Sequence, residues 1–368
     1  MKYNYVIAGA GISGCTVAQK LSEAGKKVLV IEKRDRIGGN CDDKKDENGI
    51  TIQTGGPHIF HTKLKEVYDY LSGFTKFNDY KHKVISSYKG KLYPIPINLT
   101  TFNRFYNTDC TSEEMKKKLD EIKENIPKEQ INNSRDVVLS KMGTELYEAF
   151  IKYYTKKQWD CFPEDLDKEV LERIPIRYDT DDLYFSGQFQ GIPEKGFHAM
   201  FENMLDSENI TLMLNTNYKD AIKEIDHDVL ICTAPIDEYF DYSLGKLKYR
   251  SLEFIYETHG TESYQENSVV NYSEPDVPYT RITEFKKFYF EENPKTVIIK
   301  EIPVWKGDPY YPLPKKDAKE DYAKYLELAE KEENVYFLGR LGKYKYLNMD
   351  AACKEALELA EKLLSKNK

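Results

Sequence analysis

Residues 3–40 read YNYVIAGAGISGCTVAQKLSEAGKKVLVIEKRDRIGGN, and the reading of this stretch decides the fold. Residues 3–8 form a short apolar run of the kind that makes a buried strand. From Ser13 to Ala24 the residues Val17, Ala18 and Leu21 fall on one helical face, and "KKVLVIEKR" supplies a second buried strand ending at Glu32. Strand, turn, helix and strand in this order predict the opening of a doubly wound sheet. The turn is Gly9-x-Gly11-x-x-Gly14. Its first glycine permits a tight turn, its second lets backbone approach a pyrophosphate, and its third lets helix and strand pack closely. The helix N-terminus, with Ser13 in its first turn, offers free N–H groups and the positive end of its dipole to the phosphates. Glu32, eighteen residues past Gly14, is placed to accept hydrogen bonds from a ribose. A glycine turn without a ligand is the plain alternative, but the acidic residue in register favours a dinucleotide.

Across 368 residues the formal charge is −8, so the chain as a whole is not shaped for a nucleic-acid backbone. Any anion must be held by a local cluster. The length predicts two or three domains. Tyrosine is abundant, 29 against 17 phenylalanines, which suits ligand clefts because the ring is apolar and the hydroxyl polar. The cysteines Cys15, Cys41, Cys110, Cys161, Cys232 and Cys353 form no C-x-x-C pair. Reduced, buried thiols are expected rather than a disulfide or zinc framework, and no metal site. No apolar run approaches the roughly 18 residues that span a bilayer. The N-terminus enters a strand directly and lacks the long apolar core of a signal peptide. The expectation is a cytoplasmic protein with no membrane insertion and no nucleic-acid partner.

Farther along, "SEEMKKKLDEIKEN" and "GTELYEAFIKYYTKKQW" are charged and helix-favouring, with Ser112 followed by Glu113 and Glu114 as a helix start. From about Leu171 to Tyr311 the chain reads mainly as strands, including "DDLYFSGQFQGIP", "SLEFIYETHG", "SVVNYSEPDVPYTRITEF" and "KTVIIKEIPVW", whose spacing predicts an antiparallel sheet. Buried strands of the first type recur at "HDVLICTAP" and "NVYFLGR", with helices predicted at "GFHAMFENMLD" and "MDAACKEALELAEKLL". The predicted architecture is therefore α/β. It is a discontinuous Rossmann-like domain over 1–76, 195–240 and 318–368, with a helical domain over 99–160 and an antiparallel sheet domain over 77–98, 161–194 and 241–317 inserted into it.

After Glu32 the sequence continues through Lys33 to Gly38, Gly39 and Asn40. This resembles the extended E-x3-R-x-G-G fingerprint of flavoproteins that hold FAD in a stretched pose. In those families a late Gly-Arg followed by a helix closes over the flavin, a role that Gly339, Arg340, Asn348 and Met349 fit. NAD enzymes of this size generally lack both features, so FAD is the expected cofactor.

Between these ends, aromatic and cationic residues recur in "YYTKKQW", "LERIPIRYDTDDLYF", "NYSEPDVPYTRITEF" and "PYYPLP". Rings stack on nucleobases and arginine presents a fork of donors to phosphate, the two needs of a nucleoside diphosphate. Any one segment could equally be strand aromatics and surface cations. Together with "GAGISG", "EKRDRIGGN", "GPHIFHT", "LYPIPINL", "RIPIR" and "GRLGKYKYLNMD", in this order, they make the chain resemble bacterial UDP-galactopyranose mutases from end to end.

The resemblance implies an isomerase that interconverts UDP-galactopyranose and UDP-galactofuranose, supplies galactofuranose for cell-surface glycans and works as a homodimer. It implies reduced FAD, whose N5 attacks the anomeric carbon, displaces UDP and carries the sugar through ring opening and reclosure. Tyr154 would stack on uracil, with Thr155 and Trp159 beside the uridine or galactose. Arg173, on a mobile loop of about 165–178, and Arg281 would hold the diphosphate. Tyr184, Tyr311 and Tyr346 would donate phenolic hydrogen bonds, while Phe185, Asn271 and Glu301 would line the substrate cleft. His58, Ile59 and His61 would lie by the isoalloxazine. Asn348 departs from the aspartate of several family members. The alternative function is an FAD oxidoreductase of the amine-oxidase or desaturase type, which shares the fingerprints but would need an apolar or amine-binding cavity.

Overall fold

The computed structural model describes residues 2–366. The chain divides into two compact units, one of Met1–Tyr80, Gly187–Lys248 and Glu320–Lys368, the other of Lys81–Ser186 and Tyr249–Lys319.

In the first unit five strands lie in the order Val335–Phe337, His227–Cys232, Tyr3–Ala8, Val28–Ile31, Ile210–Met213. All neighbouring pairs are parallel. Such a sheet is covered on both faces, which is why Val28–Ile31 is apolar and buried at every position. The Ile12–Glu23 helix makes the first crossover. Tyr3–Ala8 has Val28–Ile31 on one side and His227–Cys232, reached much later in the chain, on the other. Its carboxyl end is thus the point where strand order reverses, the place at which open α/β sheets take ligands. Both neighbours grip the turn there: Gly9 N donates to Ile31 O at 2.8 Å and Thr233 N to Ala8 O at 2.9 Å. The Gly196–Leu205 helix has its orphan N-terminal amides met from a distance, since Phe197 N and His198 N donate to the buried Asp43 carboxylate at 2.6 and 3.0 Å. The Met349–Lys366 helix packs on Ile12–Glu23, with Ser13 Oγ donating to Ala352 O at 3.3 Å.

The second unit holds a seven-stranded sheet in the order Tyr311–Pro312, Tyr249–His259, Thr296–Val304, Arg281–Glu284, Val269–Tyr272, Val84–Tyr88, Lys91–Ile95. Neighbours run antiparallel except Val269–Tyr272 against Val84–Tyr88, which is parallel. A parallel pair needs a crossover, and here the connection passes through the whole helical segment. "DDLYFSGQFQGIP" is not the strand that the sequence predicts. Only Phe189–Gly191 is a strand, and it pairs with Phe60–Thr62 in the first unit. Upstream, Asp179 and Asp181 accept from the amides of Asp181 and Leu183 at 3.0 Å, local turns that withdraw donors from a ladder.

The helical segment shares one core with the sheet edge: Phe102, Met115, Leu119, Val138 and Met142 pack with Tyr93, Ile97 and Leu171. The Ser112–Ile122 helix is capped one residue earlier than the sequence suggests. Thr111 accepts from Glu114 N at 3.3 Å while the Glu114 carboxylate accepts from Thr111 N at 2.8 Å, a capping box. "GTELYEAFIKYYTKKQW" is helical, in pieces. Gly143, at φ +75° and ψ 177°, breaks the Ser134–Leu146 helix, and a π-helical turn over Tyr147–Ile151 leads into the helix Lys152–Trp159. A side chain at Gly143 would place Cβ 2.5 Å from Ile122 O, so close approach and backbone angle both call for glycine. All six cysteines are buried and unpaired. No helix of the described residues is long and apolar enough to cross a membrane.

Candidate functional site

In the first unit the three glycines divide their work as the motif requires. Gly9 has φ +109°, and a Cβ there would meet Thr233 Oγ1 at 2.1 Å. At Gly14 a Cβ would fall 1.9 Å from Gly9 O, so this glycine sets how closely the helix approaches the strand. At Gly11 it would meet only Gly39 Cα at 3.9 Å, which leaves the backbone open to a ligand. The helix starting at Ile12 has Gly11 as its N-cap and no side-chain cap, the state in which a helix N-terminus serves an anion. Glu32 is buried, with its carboxylate accepting from Ala10 N at 2.9 Å and Arg34 N at 3.0 Å, and so braces the turn. Lys33 is exposed. Asn40 Oδ1 accepts from Arg34 Nη1 and Nη2 at 3.3 and 3.2 Å.

The second predicted group gathers in the same unit. The backbone of His58 is held on both sides by Gln53, whose Nε2 donates to His58 O at 3.0 Å and whose Oε1 accepts from His58 N. Gln53 is fully buried, and the sequence reading misses it because one glutamine in a strand carries no motif. Ile59 is buried beside it. His61 lies opposite Gln190 in the Phe60–Thr62 ladder. Burial lowers its pKa, partly offset by Asp350 in the first turn of the Met349–Lys366 helix. Asn348 thus lacks a charge where a carboxylate is expected, but Asp350, two residues on, supplies one near His61. Gly339 adopts φ +76° against Ser13, its notional Cβ 3.1 Å from Ser13 Oγ. Arg340 donates to Leu347 O at 2.7 Å and lies over the exposed Tyr346 ring, 4.9 Å from its centroid. Lys343 and Lys345 both pair with Glu355, at 2.7 and 3.6 Å. These residues fit a dinucleotide: an open turn at a helix N-terminus, a braced acid at the second strand, and a late helix returning to Ser13.

In the second unit the sheet register brings Asn271, Arg281 and Glu301 into one row, because Asn271 pairs with Arg281 and Arg281 with Glu301. The Lys152–Trp159 helix supplies Tyr154, whose hydroxyl accepts from Arg281 Nη2 at 2.7 Å. Arg281 Nε lies 3.5 Å from Glu301 Oε1, an ion pair without hydrogen-bond geometry. Three buried polar atoms in this row have no hydrogen-bond partner: Asn271 Oδ1, Arg281 Nε and Glu301 Oε1. Orphans of this kind cost free energy and ask for an explanation, and a ligand is the natural one. Burial pushes the Glu301 pKa up, against the attraction of Arg281. Burial also raises that of Tyr154, keeping it a neutral phenol. Around Arg281 burial works against the charge, yet Tyr154, Glu301, Tyr311 and Tyr184 act to hold it, and its pKa stays above the ordinary value.

The remaining predicted residues stand near this row or apart from it. Trp159 is buried with its ring edge-on to Tyr311, centroids 6.0 Å apart, and Thr155 is buried on the same helix. Tyr184 and Phe185 pack with His82, at 5.5 and 5.2 Å. Arg173 is exposed at the C-cap of the Glu169–Glu172 helix. Its segment is tied down in this structure: Leu166 and Leu171 are buried, and Ser134 Oγ donates to Asp167 O at 2.6 Å. Arg250, which the sequence reading misses, holds the far end of the Tyr154 helix by donating to Gln158 O and Lys157 O at 3.0 and 3.2 Å. Nothing in the spacing of "KYRSLEF" announces that contact.

Comparison with known proteins agrees with this geometry. Residues 149–346, which include the whole Arg281 row, match the family model described as UDP-galactopyranose mutase. Residues 7–74 match that of an NAD(P)-binding Rossmann-like domain. The chain is 38% identical over 367 residues to a probable UDP-galactopyranose mutase of Klebsiella pneumoniae, covering 98% of this chain and 95% of that one. It is 36% identical over 376 residues to a dTDP-fucopyranose mutase of Escherichia coli, covering 99% of each. The crystal structure of a reduced UDP-galactopyranose mutase superposes with a TM-score of 0.77 at 19% identity, covering 99% of this chain and 94% of that chain. With end-to-end relatives above 30% identity and a family model over more than half its length, the chain belongs to the UDP-galactopyranose mutase family.

Proposed function

We propose that the protein is a cytoplasmic, homodimeric flavoenzyme that interconverts UDP-galactopyranose and UDP-galactofuranose on reduced FAD, supplying galactofuranose to cell-surface glycans. The observation that carries the reading is the Asn271–Arg281–Glu301 row with its orphaned atoms. Arg281 Nε is a donor and suits a phosphate oxygen, whereas Asn271 Oδ1 and Glu301 Oε1 are acceptors and suit hydroxyl protons. A sugar diphosphate offers both.

The reduced flavin, when bound, supplies the nucleophile that exchanges with UDP at the anomeric carbon. Gly9, Gly11, Gly14 and Ser13 would take its pyrophosphate, Glu32 its ribose, and Lys33, Gly39, Asn40, His58, Ile59, Gly339, Arg340, Asn348 and Met349 would complete its seat. Arg281 stabilises charge that develops on the diphosphate as the glycosidic bond breaks, and Arg173 adds to this when its loop moves in. The same contacts keep UDP at hand for the return step, where proximity replaces a second encounter. Tyr154 fixes the guanidinium through its hydroxyl and offers its ring to the base. Tyr184, Tyr311 and Tyr346 donate to phosphate oxygens, and Trp159, Thr155 and Phe185 exclude water from the sugar. His61, neutral at physiological pH because burial lowers its pKa, presents no competing positive charge.

The near-equal likeness to a dTDP-fucopyranose mutase favours one second reading, in which base and sugar are thymine and a 6-deoxyhexose. Both nucleotide furanoses, offered separately to dithionite-reduced protein, decide between them. The expected result is a higher kcat/KM for UDP-galactofuranose. A higher value for dTDP-fucofuranose would transfer the assignment to the second substrate.

A further inference from the structure

Lys157 lies one turn beyond Tyr154 on the Lys152–Trp159 helix, and its side chain leaves the helix for the loop between the strands Val269–Tyr272 and Arg281–Glu284. There its Nζ is within hydrogen-bond distance of four backbone carbonyls: Tyr272 O at 2.6 Å, Glu274 O at 3.1 Å, Val277 O at 3.0 Å and Tyr279 O at 3.0 Å. An ammonium carries three protons, so all of them are engaged and the fourth carbonyl shares. Segment 272–280, which includes Tyr272 at the end of its strand, is closed at its base by Tyr272 N donating to Thr280 O at 2.9 Å, and these contacts gather four of its carbonyls on one point charge. The segment begins one residue after Asn271 and ends one residue before Arg281. One face of one helix therefore holds the guanidinium through Tyr154 and the backbone that delivers it through Lys157. Arg250 pins the C-terminal end of the same helix through the carbonyls of Lys157 and Gln158.

We propose that Lys157 is a positioning residue for nucleotide-sugar binding, its carbonyl-held ammonium locking the 272–280 loop to the Tyr154 helix so that Arg281 is fixed for the diphosphate. The inference rests on the reading of Arg281 as a diphosphate ligand. It has a signature that a passive packing role lacks. Burial pushes the Lys157 pKa down to about 8, against the attraction of Glu274. Above that value the amine keeps two protons for four carbonyls and loses the charge that makes such bonds strong. The charge acting on it is that of Glu274, which favours the ammonium; of the neighbouring groups, burial lowers the Arg250 pKa from its ordinary value and raises the phenols of Tyr272, to about 12, and Tyr279.

The test is the affinity for UDP of flavin-loaded wild type and of Lys157→Met, Lys157→Ala and Arg281→Ala, measured calorimetrically from about pH 7 to pH 9. Lys157→Met keeps the apolar stem and removes the donors. It should bind UDP about 10–100-fold more weakly at neutral pH, the loss expected of charge-assisted hydrogen bonds. Its affinity should then be flat with pH, while wild type weakens as pH rises through about 8. In Lys157→Ala, n-propylammonium, which replaces the missing atoms, should restore binding and n-propanol should not. Wild-type affinity in Lys157→Met overturns the proposal, and so does a wild-type protein whose affinity does not change through that pH range. If Arg281→Ala loses UDP while Lys157→Met does not, the positioning role falls and the diphosphate reading stands. If Arg281→Ala binds UDP normally, the diphosphate reading falls with it.

Discussion

Glu301 is almost fully buried, makes an ion pair but no hydrogen bond with Arg281, and has its pKa raised by burial despite that neighbour. A carboxyl whose folded pKa lies above its unfolded value favours the fold below the unfolded value and loses that contribution as pH rises through the folded one. Glu301 therefore contributes less to stability at neutral pH than at low pH. Glu301→Gln should raise Tm at pH 7 relative to wild type, with the gap closing as pH falls below the ordinary glutamate range of about 4.3. Thermal scans at several pH values measure this, and a lower Tm for the variant at pH 7 would refute it. Such a loss persists where a ligand supplies what the free protein lacks. Arg281→Ala should leave flavin content unchanged, because the glycine turn belongs to the other unit, and should lower kcat by about 10²–10³-fold, as loss of a donor to developing charge does. Full turnover in that variant would remove Arg281 from the chemistry. At this scale Tyr154 and Arg281, both in stretches that carry the family resemblance, are hydrogen-bonded to each other, and Asn271 and Glu301, named from that resemblance, stand in the same row as Arg281. The sequence was silent on Gln53, Asp350 and Lys157, whose partners are backbone atoms or distant side chains that no local pattern encodes.

Among the elements, the Lys152–Trp159 helix decides the most, because it presents Tyr154, Thr155 and Trp159 together. Its position depends on how the chain enters it. Gly143 breaks the preceding helix at φ +75°, and the π-helical turn after it shifts the register before Lys152. Gly143→Ala adds strain at a positive φ and a Cβ 2.5 Å from Ile122 O, and should destabilise the fold by about 1–3 kcal/mol in chemical denaturation. An unchanged midpoint would show that this break is not required. The residues after Gly143 are mostly good helix formers, so propensity predicts helix across this stretch. What overrides propensity is the tertiary contact of Gly143 with the end of the Ser112–Ile122 helix, which is invisible along the chain. The strand expected at 181–193 failed for a related reason: aspartates at 179 and 181 capture amides that a ladder would need. The parallel strands of the first unit, by contrast, are continuous apolar runs, and these announce themselves.

For the whole molecule, the glycine turn lies in one unit and the Asn271–Arg281–Glu301 row in the other. The discontinuous order of segments could be read from the recurrence of buried strands at the beginning, middle and end of the chain. The sharing of one hydrophobic core by the helical segment and the sheet edge could not, because Tyr93, Ile97 and Leu171 meet Met115 and Met142 only once the chain is folded. The proposed reaction is a ring contraction without net redox change that nonetheless needs reduced flavin. The measurement that tests it most directly follows UDP-galactofuranose by chromatography with flavin-loaded protein, oxidised or dithionite-reduced, while the flavin spectrum is recorded. The expected result is catalytic conversion to UDP-galactopyranose by the reduced protein only, over many turnovers, with the flavin still reduced at the end. No conversion by reduced, flavin-loaded protein, or conversion matched one for one by flavin oxidation, would contradict it.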